Sequence, residues 1–180
     1  MAKPSLTLIN NPTLVNLLGF NAIWFGLILL GNVFIPIAVI MLLLHLYYRA
    51  DKNELVLILI VAGVGVLLDS ALIYSGIFIF PGSTPTQLPF WLITLWLCFA
   101  ATVRHSLGFL ANSKILQCLI GAIFAPLSYL AGATFSVVYI TPSFELSYLL
   151  LAGLWGPLMV LVFALSAWLQ IEEKNHVAQL

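Results

Sequence analysis

The chain has very little charge. Asp, Glu, Lys and Arg make up 7% of its 180 residues, against 63% hydrophobic residues. Ordinary soluble domains carry about 25% charged residues, so this composition cannot build a water-facing surface. The six basic and six acidic residues cancel, and without a basic excess there is no electrostatic footprint for nucleic acid. Cysteine is scarce as well. Cys98 and Cys118 both lie in apolar runs with no C-x-x-C pair, so they read as small packing residues. The sequence also lacks paired aspartates, a serine-protease elbow with a later His partner, and a phosphatase-like Lys/Arg/His set. No cofactor is implied and no metal site is expected, since the histidines have no evident third ligand.

Long apolar runs are abundant. A bilayer core of about 30 Å needs about 20 helical residues to cross. Six runs meet or approach that length, at about 12–30, 33–48, 54–76, 89–111, 115–138 and 144–169, followed by a polar tail at 170–180. The expected fold is therefore all-α, a single polytopic transmembrane domain built as a six-helix bundle. Asn11 with Pro12 makes a cap-plus-proline start for the first run. Asn53 is the expected cap of the third, and Thr141 with Pro142 repeats the pattern before the sixth. The first run is long and no A-x-A site follows it, so it is read as a retained span. With six crossings, Lys3, Arg49, Lys52, Lys114 and Lys174 fall on one side, with Arg104 close to it. The positive-inside rule then puts both termini in the cytoplasm.

Three groups of residues stand out against this background. The first is Asp69 with Ser70, in the stretch "GVLLDSALI". A mid-span Asp costs about 2.5–3.5 kcal/mol, so it must face protein or water. Ala62, Gly65, Asp69 and Gly76 share one helical face, and small residues there admit a neighbouring helix. The expected neighbour is the fifth run, whose Gly121, Ala125, Ser128 and Gly132 have a similar spacing. Ser128 and Tyr129 lie at the depth of Asp69 and are candidate partners for its carboxyl. The carboxylate reads either as a proton or ligand site or as a hydrogen-bonded clamp between helices. A direct pair with Arg104 is strained, because the two are roughly 14 Å apart in depth at about 1.5 Å of rise per residue.

The second group lies on the fourth run. Trp91, Thr94, Cys98, Thr102 and His105 recur every three or four residues and form a polar stripe. With Arg104 and His105 at its cytoplasmic end, and His45 and Asn21 on the first two runs, the residues are placed to line a cavity open to the cytoplasm. Such a set suits an anionic headgroup or a carboxylate. The competing reading has Arg104 snorkelling to lipid phosphate. The third group comprises the helix breakers Pro126 and Pro157, which make either kinks or a broken-helix site.

Taken in order, "GVLLDS", "WLCFAATVRHSL" and "GAIFAPLSYLAG" resemble a family of bacterial inner-membrane proteins, domain of unknown function 2878. Asp69, Ser70, Trp96, Thr102, His105, Ser106, Pro126, Tyr129 and Gly132 carry the likeness, while Arg104 stands where the family more often has Asn. The resemblance implies a six-helix bacterial membrane protein and points toward lipid metabolism.

The functional expectation is a protein of the bacterial inner membrane. It would bind or help process an acyl lipid or apolar small molecule in a cavity bordered by runs three, four and five. Asp69 and Tyr129 would be the deep pair, with His105 and Arg104 at the mouth and membrane lipids as partners. The alternatives are a membrane component of a small-solute transporter, or an assembly partner of other membrane proteins.

Overall fold

The computed structural model describes residues 11–82, 84 and 87–177, with side chains described as far as Ile171. Lys3 and the Lys174 side chain, both used in the orientation argument, lie outside the described residues. Helix α1 (Pro12–Leu30) opens as expected, with Asn11 Oδ1 accepting the backbone N–H groups of Thr13 at 3.1 Å and Leu14 at 3.3 Å. A 3₁₀ turn (Gly31–Phe34) joins it to α2 (Ile35–Tyr48). Gly31 has φ +56°, a conformation that L side chains resist, and here the chain reverses. The Phe34 ring folds onto Gly26, and Gly19 faces the Met41 methyl group, so the two helices form an antiparallel hairpin.

Helix α3 (Lys52–Tyr74) is capped by Asp51 rather than by the expected Asn53. Asp51 is extended at φ −92° and its Oδ1 accepts the Glu54 N–H at 2.6 Å. A carboxylate is the stronger acceptor at a helix N-terminus. Asn53 instead donates to the Leu169 carbonyl at 3.2 Å.

The largest departure from expectation is the fourth run. Helix α4 (Phe90–Ala100) has 11 residues, and residues 101–107 form turns that lead into a second 3₁₀ turn (Gly108–Leu110). Local bonds explain the break. The Thr102 hydroxyl and N–H both go to the Phe99 carbonyl, at 2.6 and 2.9 Å, which diverts that carbonyl from the helical ladder. Asn16 of α1 takes up backbone groups of the broken segment, donating to the Ala101 carbonyl at 3.3 Å and accepting the Ser106 N–H at 3.2 Å.

Helix α5 (Lys114–Thr134) contains Pro126 without interruption, and α6 (Phe144–Val177) runs 34 residues through Pro157. The polar tail expected from residue 170 onward therefore continues the helix as far as Val177. Two short strands, β1 (Phe78–Ile79) and β2 (Tyr139–Ile140), were not anticipated. They pair antiparallel, Phe78 with Ile140 and Ile79 with Tyr139. Thr141 extends this clasp, its N–H bonding to the Ile77 carbonyl at 3.1 Å and its hydroxyl to the Gly76 carbonyl at 3.0 Å.

Packing also corrects the expected helix neighbours. The main partner of α5 is α6, and α3 packs on α4. The reason lies in the small residues. Gly121 sits against the backbone oxygen and side chain of Trp155 and Met159, whereas Gly65 makes room for the Trp96 ring. Among the described residues, four helical segments are long and apolar enough to cross a membrane: Pro12–Tyr48, Lys52–Tyr74, Lys114–Thr134 and Phe144–Ile171. Helix α4 is too short to join them, and Pro12–Tyr48 is the hairpin that turns at Gly31. Large apolar side chains such as Leu67, Leu149 and Leu161 are about two-thirds exposed on the outside, as on a surface made for acyl chains. The all-α architecture and its apolar helices are those of a membrane protein.

Candidate functional site

Three elements converge at one end of the molecule: the last turn of α2, the first turn of α3 and the turns after α4. They bring together His45, Glu54 and His105. Glu54 is 3% exposed, and its Oε1 lies 2.8 Å from His45 Nε2 and 2.8 Å from His105 Nε2. The imidazole rings meet edge to face at 4.7 Å. An ionised carboxylate only accepts, so each contact is a hydrogen bond when that Nε2 carries its proton. Hydrogen bonds anchor the backbone of Glu54 and His105. The Glu54 N–H is fixed by the Asp51 cap, and the His105 N–H bonds to the Thr102 carbonyl at 3.0 Å.

A cavity of about 360 Å³ opens beside the cluster, between α1, α2 and α4. Gly19, Phe20, Ile23, Met41 and Leu42 give it an apolar wall, while Asn16, His45 and His105 line its polar end. This volume is within the range of small-molecule sites, about 300–1,000 Å³.

Arg104 points away from the cavity. Its guanidinium binds Asp51 at 3.3 and 3.4 Å, and Ser166 of α6 at 3.3 Å through Oγ and 3.4 Å through the carbonyl. It ties α6 and the α3 cap to the broken segment. Asn21 also lies outside the cluster, donating to the Leu17 carbonyl of its own helix at 2.8 Å. Thr102 is buried in its own turn.

The second polar centre is sealed. Asp69 is 0% exposed. Its Oδ2 accepts Trp96 Nε1–H at 2.6 Å and its Oδ1 accepts the Tyr129 hydroxyl at 2.7 Å. One carboxylate thus joins α3, α4 and α5. Aromatic rings enclose it: Trp96 stacks on Trp155 with centroids 4.9 Å apart, and Tyr129 stacks on Phe78 at 5.1 Å. Ser128, the alternative partner for Asp69, instead accepts Trp24 Nε1–H at 2.8 Å. Ser70 is half-buried and takes no part in these contacts.

Residues 13–161 match the family Protein of unknown function (DUF2878). The chain belongs to the DUF2878 family. The match spans α1 to the middle of α6, so it takes in both polar centres of this DUF2878 protein. Neither the curated proteins nor the solved structures give a match.

Sequence reasoning placed His45 and His105 together but missed Glu54, the third donor said to be lacking. The residue entered the sequence reading only as the start of the third run, at 54–76. The available signal was D-x-x-E, Asp51 to Glu54, a variant of the capping box; it fixes the backbone of Glu54 but does not tell that two histidines close over the side chain. Trp96 had been assigned no contact with Asp69 either, although an indole N–H buried in a span needs an acceptor.

Proposed function

We propose that this DUF2878 protein resides in the bacterial inner membrane and binds an apolar or acyl-chain molecule in the cavity between α1, α2 and α4, with the polar end of the ligand at His45 and His105. One observation carries this reading: an apolar chamber of about 360 Å³ that ends in two histidines sharing a buried carboxylate. The chamber differs from the expected one between runs three, four and five, because Asp69 and Tyr129 are closed off by tryptophan and phenylalanine rings. In this reading the Asp69 centre is a clamp that sets the helix arrangement, and His45 and His105 are the ligand-facing groups.

The same proposal includes six crossings with both termini cytoplasmic. The α1–α2 hairpin supplies two passes, and α4 with its turns and 3₁₀ segment supplies the pass between α3 and α5. Arg49, Lys52, Arg104 and Lys114 then gather at the end that holds the histidines, as the positive-inside rule asks of a cytoplasmic face. Membrane lipids are the partners this arrangement supports.

The test is occupancy. The full chain purified in mild detergent is examined by native mass spectrometry for retained apolar molecules. Gly19→Phe puts a ring into the chamber beside Met41, whose methyl lies 3.4 Å from the position of an added Cβ. The expected result is a fall in bound ligand of about tenfold or more, equivalent to about 1.4 kcal/mol, with the thermal unfolding midpoint retained. Equal occupancy in both proteins refutes the reading.

A further inference from the structure

We infer that His45, Glu54 and His105 form a binding site for a divalent transition-metal ion of the zinc type. The inference goes beyond the ligand reading and does not depend on it, since its readout is the metal itself. Two imidazole nitrogens and one carboxylate oxygen converge from three separate elements, with all three donor atoms within 4.8 Å of one another. A tetrahedral zinc with bonds of about 2.0–2.1 Å holds its ligands about 3.3–3.4 Å apart. Each nitrogen already stands 2.8 Å from Glu54 Oε1, so these two spacings open by roughly half an ångström to admit an ion, while the two nitrogens, within 4.8 Å of each other, come to the same tetrahedral spacing by rotation of the imidazole side chains.

The chemistry of the set points the same way. Imidazole with carboxylate suits zinc, iron and manganese better than hard cations that demand an all-oxygen shell or soft ones that demand thiolate. A buried carboxylate is stabilised by positive charge beside it, and a divalent cation supplies that charge at the point where the three donors converge. Three protein ligands leave a fourth position open. His45 and His105 both line the chamber, so this position faces the space where a bound molecule's anionic end would lie. Arg104 is already committed to Asp51 and Ser166, which keeps its charge from competing for Glu54. Metal entry converts each Nε2 from hydrogen donor to lone-pair donor. Each ring then keeps one proton, on Nδ1, and a ring that was imidazolium gives its second proton to water.

The experiment uses the full chain in detergent or lipid nanodiscs, stripped with a chelator and titrated with Zn²⁺ by calorimetry and with Co²⁺ by absorption spectroscopy. One ion per chain is expected, with a tetrahedral Co²⁺ spectrum and an X-ray absorption signature of mixed nitrogen and oxygen ligands. Glu54→Gln and His105→Gln should each weaken binding by more than ~100-fold, the upper end of what outer-shell partners alone cost. His176→Gln, which alters the third histidine of the sequence, should leave it unchanged. The proposal is overturned if the native chain takes up no stoichiometric ion, if both site variants bind as the native chain does, or if binding is lost with His176. The absorption spectra are read on the native chain, so they decide the matter even if a variant fails to fold.

Discussion

The fate of a single carboxylate shows how much one residue decides here. Asp69 is a cost in a bilayer unless both oxygens are occupied, and Trp96 and Tyr129 occupy them. Removing a partner from a buried group costs about 1–3 kcal/mol. Trp96→Phe should therefore lower stability by about that amount, read as a drop in the thermal unfolding midpoint in detergent, while leaving ligand occupancy of the α1–α2–α4 chamber intact. Asp69→Ala should cost more, since it leaves an indole N–H and a phenol hydroxyl unpaired together. A large loss of bound ligand with unchanged stability in either variant would show that Asp69 belongs to the binding site and is not a clamp. The need to hide Asp69 was legible in the sequence from its neighbours alone. Tyr129 was one of two partners named for it, but Trp96 was not, because an indole reaching from another helix leaves no trace in local spacing.

At the scale of helices, glycines record where neighbours come closest. A Cβ added at Gly65 would run into the Trp96 ring, whereas one added at Gly63 meets nothing within 4 Å. Gly65→Ala should displace Trp96 and cost about 1–3 kcal/mol as overpacking. Gly63→Ala should be neutral or stabilise α3 by up to about 1 kcal/mol, the helix-propensity difference. A steric-trapping or denaturant unfolding series on the two variants separates them; equal effects would mean that Trp96 does not fill the Gly65 notch. The helix start at Asn11 was readable, but at α6 the expected cap Thr141 bonds the Gly76 carbonyl and Ser143 Oγ accepts the Leu146 N–H instead, at 3.4 Å. Asn53 failed as a cap because Asp51, two positions earlier, is the better acceptor in that turn. The truncation of α4 was beyond local reading. Hydropathy continues through Ala101 and Val103, but Thr102 diverts a carbonyl and Asn16, from a distant part of the chain, stabilises the diverted backbone.

For the molecule as a whole, composition alone gave the membrane class, because 7% charge leaves no other surface to build. The number of passes is harder to read, since α4 is short and α1 with α2 forms one hairpin. Cysteine accessibility in cells tests the proposed topology. In a variant lacking Cys98 and Cys118, Asn112→Cys should be labelled only from the cytoplasm and Glu145→Cys only from the periplasm by a membrane-impermeant maleimide. Reversed labelling would invert the orientation, and labelling of both from one side would remove a pass. The candidate site needed the assembled fold, because His45, Glu54 and His105 come from three elements whose mutual approach no window of sequence contains.

The paired strands and Thr141 fasten two loops together at the end opposite the histidines. None of these residues lines the chamber between α1, α2 and α4, so the clasp and the chamber are separate parts of the body. Under the proposed binding, cross-linking residues 79 and 139 should leave the release of a bound molecule running at its normal rate.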